Sequence, residues 1–198
     1  MNETKRLKGR DLITIGIFSA VYFILNLVAM MTGFVPILWL LLPGIAGILT
    51  GIPFMLMESK VQKPGAILIM GFITAILYFI TGQFTVLLLI TFAAACILSE
   101  VYRAITKYDN SFIHMTVSFI IFCYGMLGSP LAIWVYKDSF LDQIQQNGMS
   151  AEYIQTLSGL ISVPMLIALC VSPIIGGFIG AVISKGLFRK HFRKAGIV

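Results

Sequence analysis

The residues in this chain able to do chemistry are few and unevenly placed. Asn26, Gln83 and Tyr124 put an amide or a phenol at or inside long apolar runs. Tyr22, Trp39, Tyr78 and Tyr153 add rings with a polar edge near the ends of the same runs. An amide such as Asn26 is costly in lipid, so it is expected to face protein or a cavity. Rings and amides without a nucleophile–base pair suit stacking and hydrogen bonding to a small molecule. These seven side chains are the candidate ligand-binding set. The competing account for most of them is an aromatic belt at the membrane interface.

Other chemistries find little support. There is no GxxxxGK[ST] run, so the chain is not expected to bind ATP through a P-loop. Glu100, beside Arg103, is placed at the boundary of its apolar run, and no chain of buried carboxylates is expected. Cys96, Cys123 and Cys170 lie inside apolar runs without CxxC pairing and read as small buried hydrophobes. His114 and His191 fall where neither can serve an outward-facing site. The expectation is no enzyme, no catalytic cofactor, no metal site and no nucleic-acid partner.

A second pattern concerns partners rather than ligands. The run DLITIGIFSAVYFILNLVAMM (11–31) carries Gly16, Ser19 and Ala20. Gly16 and Ala20 are four apart and stack on one side of a helix, leaving a shallow notch another helix can approach. Gly16, Ser19 and Ala20 form the candidate partner-docking strip. Tyr22 and Asn26 continue toward the other end, so one helix divides docking from ligand binding. Gly47/Gly51, Gly71/Ala75 and Gly176/Gly180 repeat the spacing and read as packing within one bundle.

The elements that must hold these residues are membrane helices. Of 198 residues 59% are hydrophobic and 11% charged, against about 25% charged in soluble proteins; mean hydropathy is +0.97. Six apolar blocks can be drawn at 12–31, 36–57, 65–80, 84–101, 112–136 and 159–187, the third being short. Most approach the ~20 residues that span a bilayer as a helix, and the short alternating segments of a β-barrel are missing. The fold class is an all-α membrane protein of six transmembrane helices in a single domain, 1–198. Pro43, Pro130, Pro164 and Pro173 mark kinks or openings within blocks.

Charge orients the six. Thirteen of the 14 Lys and Arg residues fall at the N-terminus (1–11), between blocks two and three, between blocks four and five, or in the C-terminal tail (186–198) and just before it at Lys185; only Lys137 lies opposite. The positive-inside rule then places both termini in the cytoplasm and 137–158 outside. Within that loop SFLDQIQQ (139–146) suits a short helix with Phe140, Leu141 and Ile144 on one face, ended by Gly148. Ser150 suits the cap of a second turn over 151–157. Such a loop either covers a cavity or lies on the headgroups, and both readings stay open.

Six short-looped spans, no ATPase motif and a small-residue strip on the first helix resemble the substrate-binding (S) components of energy-coupling factor transporters. The segments DLITIGIFSAVYF (11–23), PGIAGILTGIPFMLM (43–57) and GSPLAIW (128–134) are similar to the Trep-Strep family of such proteins, over nearly the whole chain. The resemblance implies a subunit that captures a micronutrient outside and docks through its first three helices on a transmembrane coupling subunit driven by two ATP-binding subunits. It then topples in the bilayer to release its cargo. The family's first-helix motif is two alanines four apart, and Gly16 and Ala20 stand there. Nickel and cobalt members use an amino-terminal Met-His pair, whereas residue 2 is Asn2. The implied cargo is a vitamin-like heterocycle or other small organic compound. Haem is the other branch, calling on Tyr22, Met30, Met31 or Tyr153 as an axial ligand. The competing expectations are a stand-alone secondary transporter and a non-transport membrane scaffold.

Overall fold

The computed structural model describes residues 6–83 and 85–187; the first five residues, Phe84 and the tail with Arg189, Lys190, His191, Arg193 and Lys194 lie outside the described residues. Every regular element among the described residues is helical. Helix α1 (Gly9–Met31) ends in a 3-10 turn, Thr32–Phe34, before α2 (Pro36–Leu40), α3 (Leu42–Lys60), α4 (Ala66–Ile80) and α5 (Val86–Ile105). Helix α6 (Phe112–Cys123) passes through a 3-10 turn, Tyr124–Leu127, into α7 (Gly128–Val135). Helices α8 (Lys137–Gln146) and α9 (Ala151–Gly159) precede α10 (Val163–Leu187).

Among the described residues, five stretches are long and apolar enough to cross a membrane: Gly9–Phe34, Leu42–Lys60, Val86–Ile105, Phe112–Val135 and Val163–Leu187. The third block is the exception. Helix α4 has 15 residues, about 22 Å at 1.5 Å per residue, which is short of a ~30 Å hydrocarbon core. The second, fifth and sixth blocks are also less continuous than the hydropathy implies. The second breaks at Leu41, where Pro43 in the first turn of α3 has no N–H to continue the ladder. The fifth tightens at Tyr124–Leu127, with Pro130 in the first turn of α7. The sixth begins at Val163, because Ala151–Gly159 forms the separate α9, and Pro164 occupies its first turn. Only Pro173, with Pro53 in α3, sits inside a helix.

In lipid, burying apolar side chains between helices gains little, so close backbone approach and polar ties hold the bundle. The tightest contact joins α3 to α10. A Cβ on Gly51 would stand 2.6 Å from the Gly180 carbonyl, and one on Gly47 would stand 2.9 Å from the Gly177 nitrogen. Gly71 admits Cys96 of α5 in the same way. Between these contacts lies an aromatic core: Phe122 meets Tyr22 edge-on at 5.5 Å, Phe54 at 4.7 Å and Phe92 at 5.5 Å. The outward rows are apolar, with Ile13, Ile17, Ile24 and Val28 exposed on α1 and Ile167, Ile174 and Phe178 on α10. Such a surface suits lipid as its solvent.

Polar ties gather the basic connections at one end of the bundle. Lys63, after α3, pairs with Asp11 of α1 at 2.7 Å. Arg103, near the end of α5, pairs with Glu58, near the end of α3, at 3.0 Å. Lys185, near the end of α10, lies 4.2 Å over the Phe112 ring at the start of α6. Helices α8 and α9 lie at the opposite end.

Candidate functional site

At the end away from the basic connections the helices form a half-open cavity of about 200 Å³, lined by Met30, Gly33, Phe34, Trp39, Phe140, Ile144, Met149, Tyr153 and Leu157. Its walls come from four places in the chain. The turn after α1 supplies Gly33, where a Cβ would crowd the Trp39 ring at 3.1 Å, so glycine lets the indole lie across the backbone. Trp39 of α2 stacks on Phe140 of α8 with centroids 5.3 Å apart and planes 24° apart. Tyr153 of α9 donates its hydroxyl to the Gly33 carbonyl at 2.7 Å, joining residues 120 positions apart. Burial pushes the Tyr153 phenol up from its ordinary value, so it stays a donor.

The apolar rows of α8 and α9 therefore cover this cavity. Phe140, Leu141 and Ile144 pack with Trp39, Trp134 and Tyr153 around buried Leu40, Ile133 and Leu157. Local sequence builds the cap as the pattern implies. Ser150 accepts from the Tyr153 N–H at 3.2 Å, opening α9, and Gly148 at φ +89° ends the preceding turn.

Of the seven candidate ligand residues, the structure brings Trp39 and Tyr153 together at the cavity. Tyr22, Asn26 and Tyr78 lie deeper and are buried. The Tyr78 hydroxyl points to Met126 Sδ at 3.2 Å, and its ring meets Phe23 and Phe92 edge-on. Asn26 is fully buried, and neither Oδ1 nor Nδ2 has a hydrogen-bond partner among the described residues. Tyr124 stands at the α6 break and donates to the Cys170 carbonyl of α10 at 2.8 Å. Gln83 is exposed on the turn after α4, its N–H bonded to the Tyr78 carbonyl at 2.9 Å.

The small-residue strip divides. Gly16 has no atom within 4 Å of a built Cβ, and Ala20 is exposed, so that face of α1 is uncovered. Ser19 does not belong to it. It is fully buried and donates to the Ile15 carbonyl at 2.7 Å, because residues 15, 19, 22, 26 and 29 form the inward stripe of α1.

Glu100 lies near the basic end where the sequence places it, but it is buried rather than interfacial, and Glu58 adds a buried acid that reasoning missed. Both are buried near the basic end. Glu100 Oε1 accepts from the Gly65 N–H at 2.7 Å and the Tyr108 hydroxyl at 2.8 Å, while Oε2 accepts from the Ile67 N–H at 3.1 Å. It caps α4, whose exposed N–H groups and dipole favour an anion. Desolvation first, then the bond to Glu100, raises the Tyr108 phenol well above its usual range. Glu58 Oε1 meets Arg103 Nε and accepts from Ser118 Oγ at 2.8 Å, whereas Oε2 has no partner among the described residues. Ser99, Glu100 and Arg103 lie on one face of α5, at spacings of one, three and four, and that spacing was the available signal.

Comparison with known proteins adds one finding at the level of family. No curated protein and no solved structure matches. The family model described as "Hypothetical bacterial integral membrane protein (Trep_Strep)" matches residues 9–194, almost the entire chain and every helix above. With its apolar outer surface and spanning helices, the chain is a multi-pass protein of a bacterial membrane, and it belongs to the Trep_Strep family.

Proposed function

We propose that this chain is the substrate-capture subunit of an energy-coupling-factor type importer. In this reading it crosses the membrane six times with both termini in the cytoplasm, the short α4 being accommodated by local bilayer thinning. It binds a small organic micronutrient outside and docks on a transmembrane coupling subunit worked by two ATP-binding subunits. It carries no catalytic residues of its own, and ATP hydrolysis belongs to the partners.

One observation carries the reading: an aromatic cavity capped by α8 and α9 at the end the positive-inside rule assigns to the outside. The same first helix that borders this cavity with Met30 leaves Gly16 and Ala20 uncovered nearer its basic end. Capture and docking are thereby separated along α1. A cavity of about 200 Å³ suits a compact heterocycle better than a porphyrin, since drug-sized ligands already occupy ~300–1,000 Å³.

The test is purification followed by uptake. The chain should co-purify with a coupling subunit and ATPases, and uptake should stop when the ATPase Walker lysine is replaced. Gly16→Leu and Ala20→Trp should abolish uptake while binding in detergent survives; equal loss of both would reject the division along α1. The buried Glu58, Glu100 and Arg103 favour a second reading, a stand-alone secondary carrier. Uptake that persists without the ATPases and collapses with a protonophore would select it.

A further inference from the structure

The outer cavity and the Asn26 amide share one face of α1. Asn26 and Met30 are four apart, so they follow one another along that side, and Gly33 stands in the turn just beyond α1. Met30 and Gly33 line the cavity, and Asn26 lies one turn deeper. Other buried hydroxyls at this depth are satisfied within their own helices: Ser19 by Ile15, Thr50 by Ala46 and Thr74 by Met70. Asn26 is different. Its fully buried amide presents an acceptor and a two-proton donor side by side, both unpaired among the described residues. An amide held so in an apolar interior bears its full desolvation cost until a matching group arrives.

The cavity restricts what can bring that group. Among the described residues no charged side chain lines it, so an ionic ligand would be desolvated without a counter-ion. The stacked Trp39–Phe140 pair gives it a flat aromatic wall. An engineered cavity of about 150 Å³ takes one benzene, so about 200 Å³ suits two fused rings. Met30, which lines the cavity one turn beyond Asn26 on α1, is unbranched with three rotatable bonds and can swing aside.

We propose that the cavity takes an uncharged, planar, two-ring compound bearing a cyclic-amide (lactam) edge, and that this edge passes Met30 to pair with Asn26. The proposal rests on the cavity being the capture site. The full chain in lipid nanodiscs is titrated with quinazolin-4-one, its 3-methyl derivative, naphthalene and quinoline-4-carboxylate, followed by calorimetry and tryptophan emission. Expected are saturable binding of quinazolin-4-one, at least tenfold weaker binding of the methylated compound, and none of the carboxylate. Asn26→Leu should bring the first two to equal affinity. Met30→Ile, stiff at the passage, should do the same. Equal affinities in the wild-type chain, a preference that survives Asn26→Leu, or tighter binding of the carboxylate overturns the proposal. Naphthalene binding that Trp39→Ala abolishes would then leave the capture site standing. If none of the four compounds binds, the capture-site reading fails and the proposal with it.

Discussion

Replacing Arg103 with methionine tests how the basic end of the bundle is held. The guanidinium Nε lies 3.0 Å from Glu58 Oε1, with both side chains 2% exposed. Methionine keeps much of the side-chain volume but strands the Glu58 carboxylate in an apolar interior. Removing one member of such a buried pair costs about 3–5 kcal/mol. A second loss is the bond from Arg103 to the Asp109 carbonyl at 2.6 Å. Asp109 is exposed, so water recovers most of that bond, and it adds at most ~1 kcal/mol. Glu58→Leu alone strands Arg103 and should cost a similar amount. The double variant Glu58→Leu/Arg103→Met removes both charges. Ser118 loses its carboxylate acceptor but keeps Ser99, whose hydroxyl lies 2.9 Å from Ser118 Oγ. The double variant should therefore fall within about 1–2 kcal/mol of wild type. Reversible unfolding by SDS titration in mixed micelles reads all four free energies. The expected coupling exceeds ~2 kcal/mol; singles that add to within ~0.5 kcal/mol in the double would refute a pair that ties α3 to α5.

Three further outcomes follow from packing and hydrogen bonding. Asn26→Leu should stabilise the unliganded protein by about 1–3 kcal/mol, because a buried unpaired amide is removed; a lower unfolding midpoint would mean the amide is bonded. Gly51→Ala places a methyl 2.6 Å from the Gly180 backbone and should cost about 1–3 kcal/mol, whereas Gly16→Ala meets open space and should leave thermal unfolding unchanged. Tyr153→Phe deletes the bond to the Gly33 carbonyl, worth about 1 kcal/mol. It should speed hydrogen exchange across 137–158 relative to the rest of the chain; unchanged exchange would show that ring packing alone holds the cap.

The parts of this architecture that depend on local chemistry were legible. Ser150 caps α9 and Gly148 ends the turn before it, because a hydroxyl acceptor and a positive φ are properties of single residues. The Gly47/Gly51 and Gly176/Gly180 pairs read as packing and do pack, on each other. Ser19 was harder. Beside Gly16 and Ala20 it looks like part of one strip, yet it is rotated into the core. In a helix apolar on every side, residue type barely distinguishes the lipid face from the protein face. Glu58 was harder still, since an acid three residues before a connecting turn reads as interfacial until α5 and α6 bring Arg103 and Ser118 to it.

What the amino-acid order determines by itself is the solvent and the elements. Long uncharged runs require lipid, and lipid requires helices that satisfy their own backbone. The order also determines the segregation of basic residues, which is a sum along the chain and needs no contacts. Tertiary structure alone decided which polar side chains meet. It set Tyr153 against Gly33, Trp39 against Phe140 and Arg103 against Glu58, and it left the Asn26 amide without a partner among the described residues. The physical reason is that helical periodicity gives the angle of a side chain about its own axis. Which neighbour lies at that angle depends on how closely glycines let α3 and α10 approach, and where the breaks at Leu41 and Tyr124–Leu127 turn the chain.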